Sequence, residues 1–239
     1  MNDQTSFRRI AAISAILSAP LALLSTFIAI AAVGFNFELL DEPVGLVKLG
    51  AGAAELFAWS WILAALGFYL LLIPAAIYLR YWLKSLEPNL VGMYTAFGLG
   101  YCFIGAISLF TMTTVLSPMM HAYAEAPGPQ QDVLVVVFQA IANLASTSLS
   151  TLTFILGGVW WLGIGLELRA GHRILGIVTV ILGIATLGSG LGYLFHIEPF
   201  ARLEMFNYFL GPVWAAWLGI LILRRTEEVQ PAAEAATAV

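Results

Sequence analysis

The chain has 239 residues, of which 61% are hydrophobic and 10% charged, far from the roughly 45–50% apolar and 25% charged residues of soluble domains. A net charge of −4 with no basic cluster argues against nucleic acid as a partner. The single cysteine, Cys102, excludes an internal disulfide, and one thiol with three scattered histidines argues against a structural Cys/His zinc site.

The apolar residues come in runs long enough to cross a bilayer. Arg8-Arg9 lead into the first, Ile10 to about Phe35, which is too long for the apolar core of a signal peptide and reads as an uncleaved span. Pro20 within it predicts a kink. The stretch Asn36 to Gly50, with Glu38, Asp41, Glu42 and Pro43, reads as an exposed loop. The second span covers about 53–79, with Trp59 and Trp61 suited to the headgroup belt, and Arg80 and Lys84 beyond it. A loop through Glu87-Pro88-Asn89 leads to the third, about 90–117, and Pro118 to Gln131 reads as a connection outside the membrane.

The fourth span, about 132–168, is long. Each half is too short to cross alone, so one tilted or protruding helix is expected, with a re-entrant break near Gly157-Gly158 as the alternative. Gly171 marks a tight turn into the fifth span, about 174–195, and the sixth covers about 205–223 before Arg224-Arg225. Residues 226–239 are polar and alanine-rich and read as a disordered tail.

The expected fold is therefore all-α, a polytopic six-helix transmembrane bundle. Arg8, Arg9, Arg80, Lys84, Arg169, Arg173, Arg224 and Arg225 fall on one side of it, and Lys48 and Arg202 on the other. The positive-inside rule then puts both termini in the cytoplasm. The opposite side is acidic, with Glu38, Asp41, Glu42, Glu125, Asp132, Glu198 and Glu204.

At 100° per residue, Gln139, Asn143, Ser146, Ser150 and Thr153 share one face of the fourth span. In lipid such a stripe should turn toward other helices or a wet cavity, and it supplies the candidate ligand-binding residues. Polar side chains that join helices, or serine and threonine bonded back to their own helix, explain the same stripe without a ligand. Glu55, near the outer end of the second span, is a further binding candidate, or an interfacial partner for Lys48. Gly188 and Gly192 have the GxxxG spacing that lets a helix approach closely.

No catalytic set emerges. Gly188-Ser189-Gly190 suggests an intramembrane serine protease only superficially, because Leu187 breaks the GxSG pattern and the sixth span has no histidine. No lysine lies inside a span for a Schiff base, and no histidine pair for haem, so no cofactor is expected. Met119, Met120, His121 and Glu125 bring donors together without metal-site spacing, and no metal is assigned to them.

Three stretches resemble a family of six-span bacterial membrane proteins, the domain of unknown function 4386 family. They are Arg8-Arg9-Ile10-Ala11, Lys48-Leu49-Gly50 before Glu55, and Gly171-His172-Arg173-Ile174-Leu175-Gly176. The resemblance covers about Arg8 to Leu223 and implies a six-helix bundle in a bacterial inner membrane, with no established activity to carry over. Two functions are expected from the residues. One is binding or transport of a small apolar or amphipathic molecule between helices. The other is a non-catalytic accessory subunit that contacts a membrane-protein partner or a second copy; a lipid-acting enzyme is the remote third.

Overall fold

The computed structural model describes residues 3–36, 39–40, 42–83 and 88–225. Glu38, Asp41, Lys84, Glu87 and the 226–239 tail lie outside the described residues. Among those described there is no strand, and six helices are long and apolar enough to cross a membrane, as an all-α six-helix bundle requires. They are Asp3–Ala32, Gly50–Leu83, Pro88–Glu125, Gly128–Leu168, Arg173–Phe195 and Glu204–Arg224, called spans one to six below. Span one continues through Pro20 without a break.

Two expected loops are shorter than the sequence suggested. The 36–50 stretch contains a helix, Pro43–Lys48, whose Val47 is buried against the other spans. Span three runs on through Pro118 to Glu125, and the turn after it is Ala126-Pro127. A proline inside a helix lacks an N–H and clashes with the carbonyl four residues back. Widened π turns accommodate it here. Met112–Leu116 forms one just before Pro118, with the Ser117 N–H reaching the Met112 carbonyl. In span two, a π turn at Ala65–Tyr69 and a 3-10 turn at Leu70–Leu72 precede Pro74, and the Ile73 N–H takes the Leu70 carbonyl that proline cannot reach.

Span four is one helix through Gly157-Gly158, so the re-entrant alternative is set aside. It has its own π turn, Asn143–Leu149, with no proline to cause it. Here hydroxyls intervene in the helical ladder. The Ser146 hydroxyl donates to the Ala142 carbonyl (2.6 Å), and Ser108 of span three donates to the Ala145 carbonyl (2.8 Å).

Spans four and five pack in a constant antiparallel register set by glycines. A Cβ on Gly158 would lie 2.6 Å from the Leu187 backbone nitrogen, and one on Gly165 2.7 Å from that of Val180. From the other helix, Gly176, Gly183 and Gly190 face Arg169, Leu162 and Ile155 in turn. Glycines seven residues apart thus alternate sides along the seam, and the backbones meet where side chains are missing. Carried to the end of span five, this register brings it level with Leu149 and Ser150, at the near end of the π turn.

Helix length then divides the molecule into two storeys. Spans five and six, with 23 and 21 residues, are about 34 and 31 Å long, close to the ~30 Å hydrocarbon thickness. Span four, with 41 residues, is about 61 Å long and would still rise about 47 Å at the steep tilt of 40°. Its first part must stand beyond the other two.

The packing agrees. One core gathers Trp160, Trp161, Trp214, Leu79, Leu182 and Leu218 from the six-helix part. A second, the outer core, gathers Val33, Val47, Phe57, Leu116, Met120 and Phe138 where spans one to four and the Pro43–Lys48 helix continue alone; this part, farther from the chain's two ends, is called the outer storey below.

The Arg8 guanidinium donates to the Arg225 carbonyl, so the two ends of the described chain meet at one end of the bundle. That end holds Arg8, Arg9, Arg80, Arg169, Arg173, Arg224 and Arg225. At the opposite ends of the spans lie Glu42, Glu55, Glu125 and Asp132 with Lys48 in the outer storey, and Glu198 and Glu204 with Arg202 lower down, where spans five and six turn.

Candidate functional site

The predicted polar stripe divides at the π turn. Gln139 and Asn143 are exposed, Ser146 and Ser150 half-buried, and Thr153 fully buried. The 100° wheel fails across Asn143–Leu149 because a π turn holds more residues than an α turn and rotates everything before it. The inward part of the stripe bonds to its own helix. Ser146 donates to the Ala142 carbonyl, and Thr153 to the Leu149 carbonyl (2.8 Å).

Glu55 is exposed in the outer storey and makes no ion pair with Lys48, which is also exposed. Gly188 and Gly192 serve the chain's own return. A Cβ on Gly192 would lie 2.3 Å from the Ala201 nitrogen, and one on Gly188 2.8 Å from the Leu203 side chain. Ser189 is fully buried and donates to the Ala185 carbonyl (2.9 Å). Met120 is buried in the outer core, and no group of three or more His, Cys, Asp or Glu forms among the described residues.

The structure assembles a different polar site inside the six-helix storey. Tyr69, Tyr101, Trp160, Trp161 and Trp214 form a continuous aromatic cluster with ring centroids 4.9–5.9 Å apart. Its rings lie on glycines: Trp160 on Gly98, Tyr69 on Gly105 and Tyr101 on Gly157, each closer than any Cβ would allow. The Trp214 indole N–H donates to Thr179 Oγ1 (2.8 Å), whose hydroxyl hydrogen goes to the Leu175 carbonyl (2.7 Å). The indole nitrogens of Trp160 and Trp161 are buried without a hydrogen-bond partner among the described residues.

Asn207 of span six completes the site. The Thr186 hydroxyl lies 2.7 Å from the Asn207 side-chain oxygen and 2.7 Å from the Leu182 carbonyl. A hydroxyl has one hydrogen to donate, so both contacts are satisfied only if the amide turns its NH2 toward Thr186. In either orientation one polar atom of the buried amide is left over.

Asn207 and Trp161 border the same small cavity with Gly67, Tyr101, Gly211 and Pro212. Its volume of about 10 Å³ is enough for about one water. The span-two wall is the π turn Ala65–Tyr69, where Gly67 meets the span-one backbone at Ala22. Two residues that each keep a polar atom unpaired among the described residues thus border one cavity at the junction of spans two, four and six.

Sequence reasoning passed over Asn207 because the larger group of polar residues on span four drew the argument. The available signal was an amide inside an apolar span, five residues before Pro212.

No family model matches the chain, and neither a curated protein nor a solved structure matches it.

Proposed function

We propose that this is a non-catalytic membrane-embedded accessory protein whose outer storey grips a helix of a partner membrane protein. One observation supports this most. On the part of span four beyond the end of span five, Val133 (63% exposed), Val137 (42%), Ala140 and Leu144 (55%) form an uncovered apolar seam. Their alternating four- and three-residue spacing is that of a helix that packs against a second helix. An apolar strip on a segment too tall for the hydrocarbon layer marks an interaction surface.

The surrounding charge favours one kind of occupant. Exposed Glu42, Glu55, Glu125 and Asp132 ring the outer storey, with Lys48 as the exposed cation among them. Two such surfaces repel each other, whereas an apolar helix flanked by Lys or Arg complements them. The positive-inside rule puts the arginine-rich end in the cytoplasm, and hence the seam on the outer side of a bacterial inner membrane.

A photo-crosslinking residue at Val137 should capture a distinct membrane protein with such a helix, and one at lipid-facing Leu166 should not. Val136→Lys beside the crosslinker should cut capture at least fivefold. An adduct of twice the chain's own mass, or none, would refute this reading.

The central cavity favours a second reading, in which Asn207 and Trp161 bind the polar end of a small amphipathic molecule between helices. Entry would require opening beside Pro212, since the cavity as it stands holds about one water. Asn207→Leu should then abolish saturable binding of a fluorescent fatty-acid analogue, with Asn143→Leu unaffected. Equal binding by both variants and the parent would exclude it.

A further inference from the structure

At the arginine-rich end, Trp82, Glu167, Gly171, His172 and Arg225 border a second cavity of about 330 Å³, within the ~300–1,000 Å³ range of ligand pockets. It lies where span two ends, spans four and five turn, and span six ends. We infer that this cavity binds the phosphate–ammonium headgroup of a phospholipid, with Arg225 at the phosphate and Glu167 at the amine.

The first support is charge. Arg225 and Glu167 border one cavity and make no ion pair with each other or with another described residue. Opposite charges that share a cavity without meeting suit a ligand that carries both signs. Free phosphate would leave Glu167 unbalanced, and a simple amine would leave Arg225 so.

The second support is orientation. The Arg225 guanidinium sits 4.9 Å above the Trp82 ring, and the His172 ring stands edge-on to that ring at 5.3 Å. The Arg225 carbonyl is held by the Arg8 guanidinium, whose Nε is cut off from solvent and has no hydrogen-bond partner among the described residues. An arginine seated over an aromatic ring has less freedom to lose when its planar fork takes a phosphate. Position is the third support. Tryptophan and arginine at the ends of spans lie at headgroup depth, and basic pockets between spans bind lipid headgroups there.

The experiment uses the full chain in nanodiscs of phosphatidylethanolamine, phosphatidylglycerol and phosphatidylcholine in equal parts, with bound lipid counted by native mass spectrometry after release. Phosphatidylethanolamine should be retained at least tenfold over the other two, because only its headgroup pairs phosphate with an N–H donor. Glu167→Gln should erase that preference while phosphatidylglycerol is kept. Arg225→Gln should lose all retention, and Arg225→Lys should retain at least fivefold less than the parent.

Thermal unfolding of each variant checks that the bundle is intact. Stabilisation by soluble phosphoethanolamine, lost in Arg225→Gln, would support the same chemistry with a soluble ligand as its source. Indiscriminate retention by the parent, or unchanged preference in a folded Glu167→Gln, overturns the inference.

Discussion

Gly183→Ala is expected to lower the unfolding midpoint in detergent strongly, while Gly188→Ala leaves it nearly unchanged. Both add one methyl to the same helix, so intrinsic helix propensity favours both equally, by up to ~1 kcal/mol. What differs is what the methyl meets. At Gly183 it would lie 2.5 Å from the Leu162 backbone nitrogen, within the seam between spans four and five. That backbone cannot yield without separating the helices along their length. At Gly188 the neighbour is the end of the Leu203 side chain, which can rotate away.

Overpacking of a closed contact costs about 1–3 kcal/mol, enough to reverse the propensity gain. The measurement is the fraction unfolded against SDS in mixed micelles. Equal midpoints for the two variants would mean that the glycine seam does not hold the pair together.

The contrast also shows which features of the sequence were legible. The number of spans was readable because hydropathy and charge act residue by residue, and the bilayer forces every backbone polar group into a helix; the ends were less so, since span three runs on through Pro118 to Glu125. Gly188 and Gly192 were found because four-residue spacing is a familiar pattern, but they pack on the chain's own Phe200–Leu203 return. The seam that joins two spans uses a seven-residue interval, at Gly158 and Gly165 and again at Gly176, Gly183 and Gly190, which becomes meaningful only once the two helices are aligned.

The stripe on span four failed for a geometric reason. A helical wheel assumes one uniform twist, and a π turn driven by a hydroxyl of another span cannot be read from local sequence. The site at Asn207 was hidden similarly, because its partner Thr186 and the Trp161 that borders the same cavity are far off in sequence.

Trp161→Ala should be among the most damaging single changes in the chain, at about 3–5 kcal/mol. The ring is 2% exposed and touches Tyr101, Trp160 and Trp214 at centroid distances of 5.1, 5.5 and 5.7 Å. In a bilayer little of that cost is hydrophobic transfer, because lipid tails are as apolar as the core. It comes from lost dispersion contacts around a void the rigid aromatic cluster cannot fill.

Phenylalanine separates packing from hydrogen bonding. Trp214→Phe removes a made bond and leaves the Thr179 oxygen without its donor, so it should cost about 1–2 kcal/mol more than Trp161→Phe. Trp161→Phe removes an N–H that has no protein partner, so what it loses is ring volume. The same SDS titration ranks the three variants. If Trp161→Phe proved as costly as Trp214→Phe, the Trp161 indole would have to be bonded within the native bundle, and a water held beside Asn207 is the acceptor the cavity can accommodate.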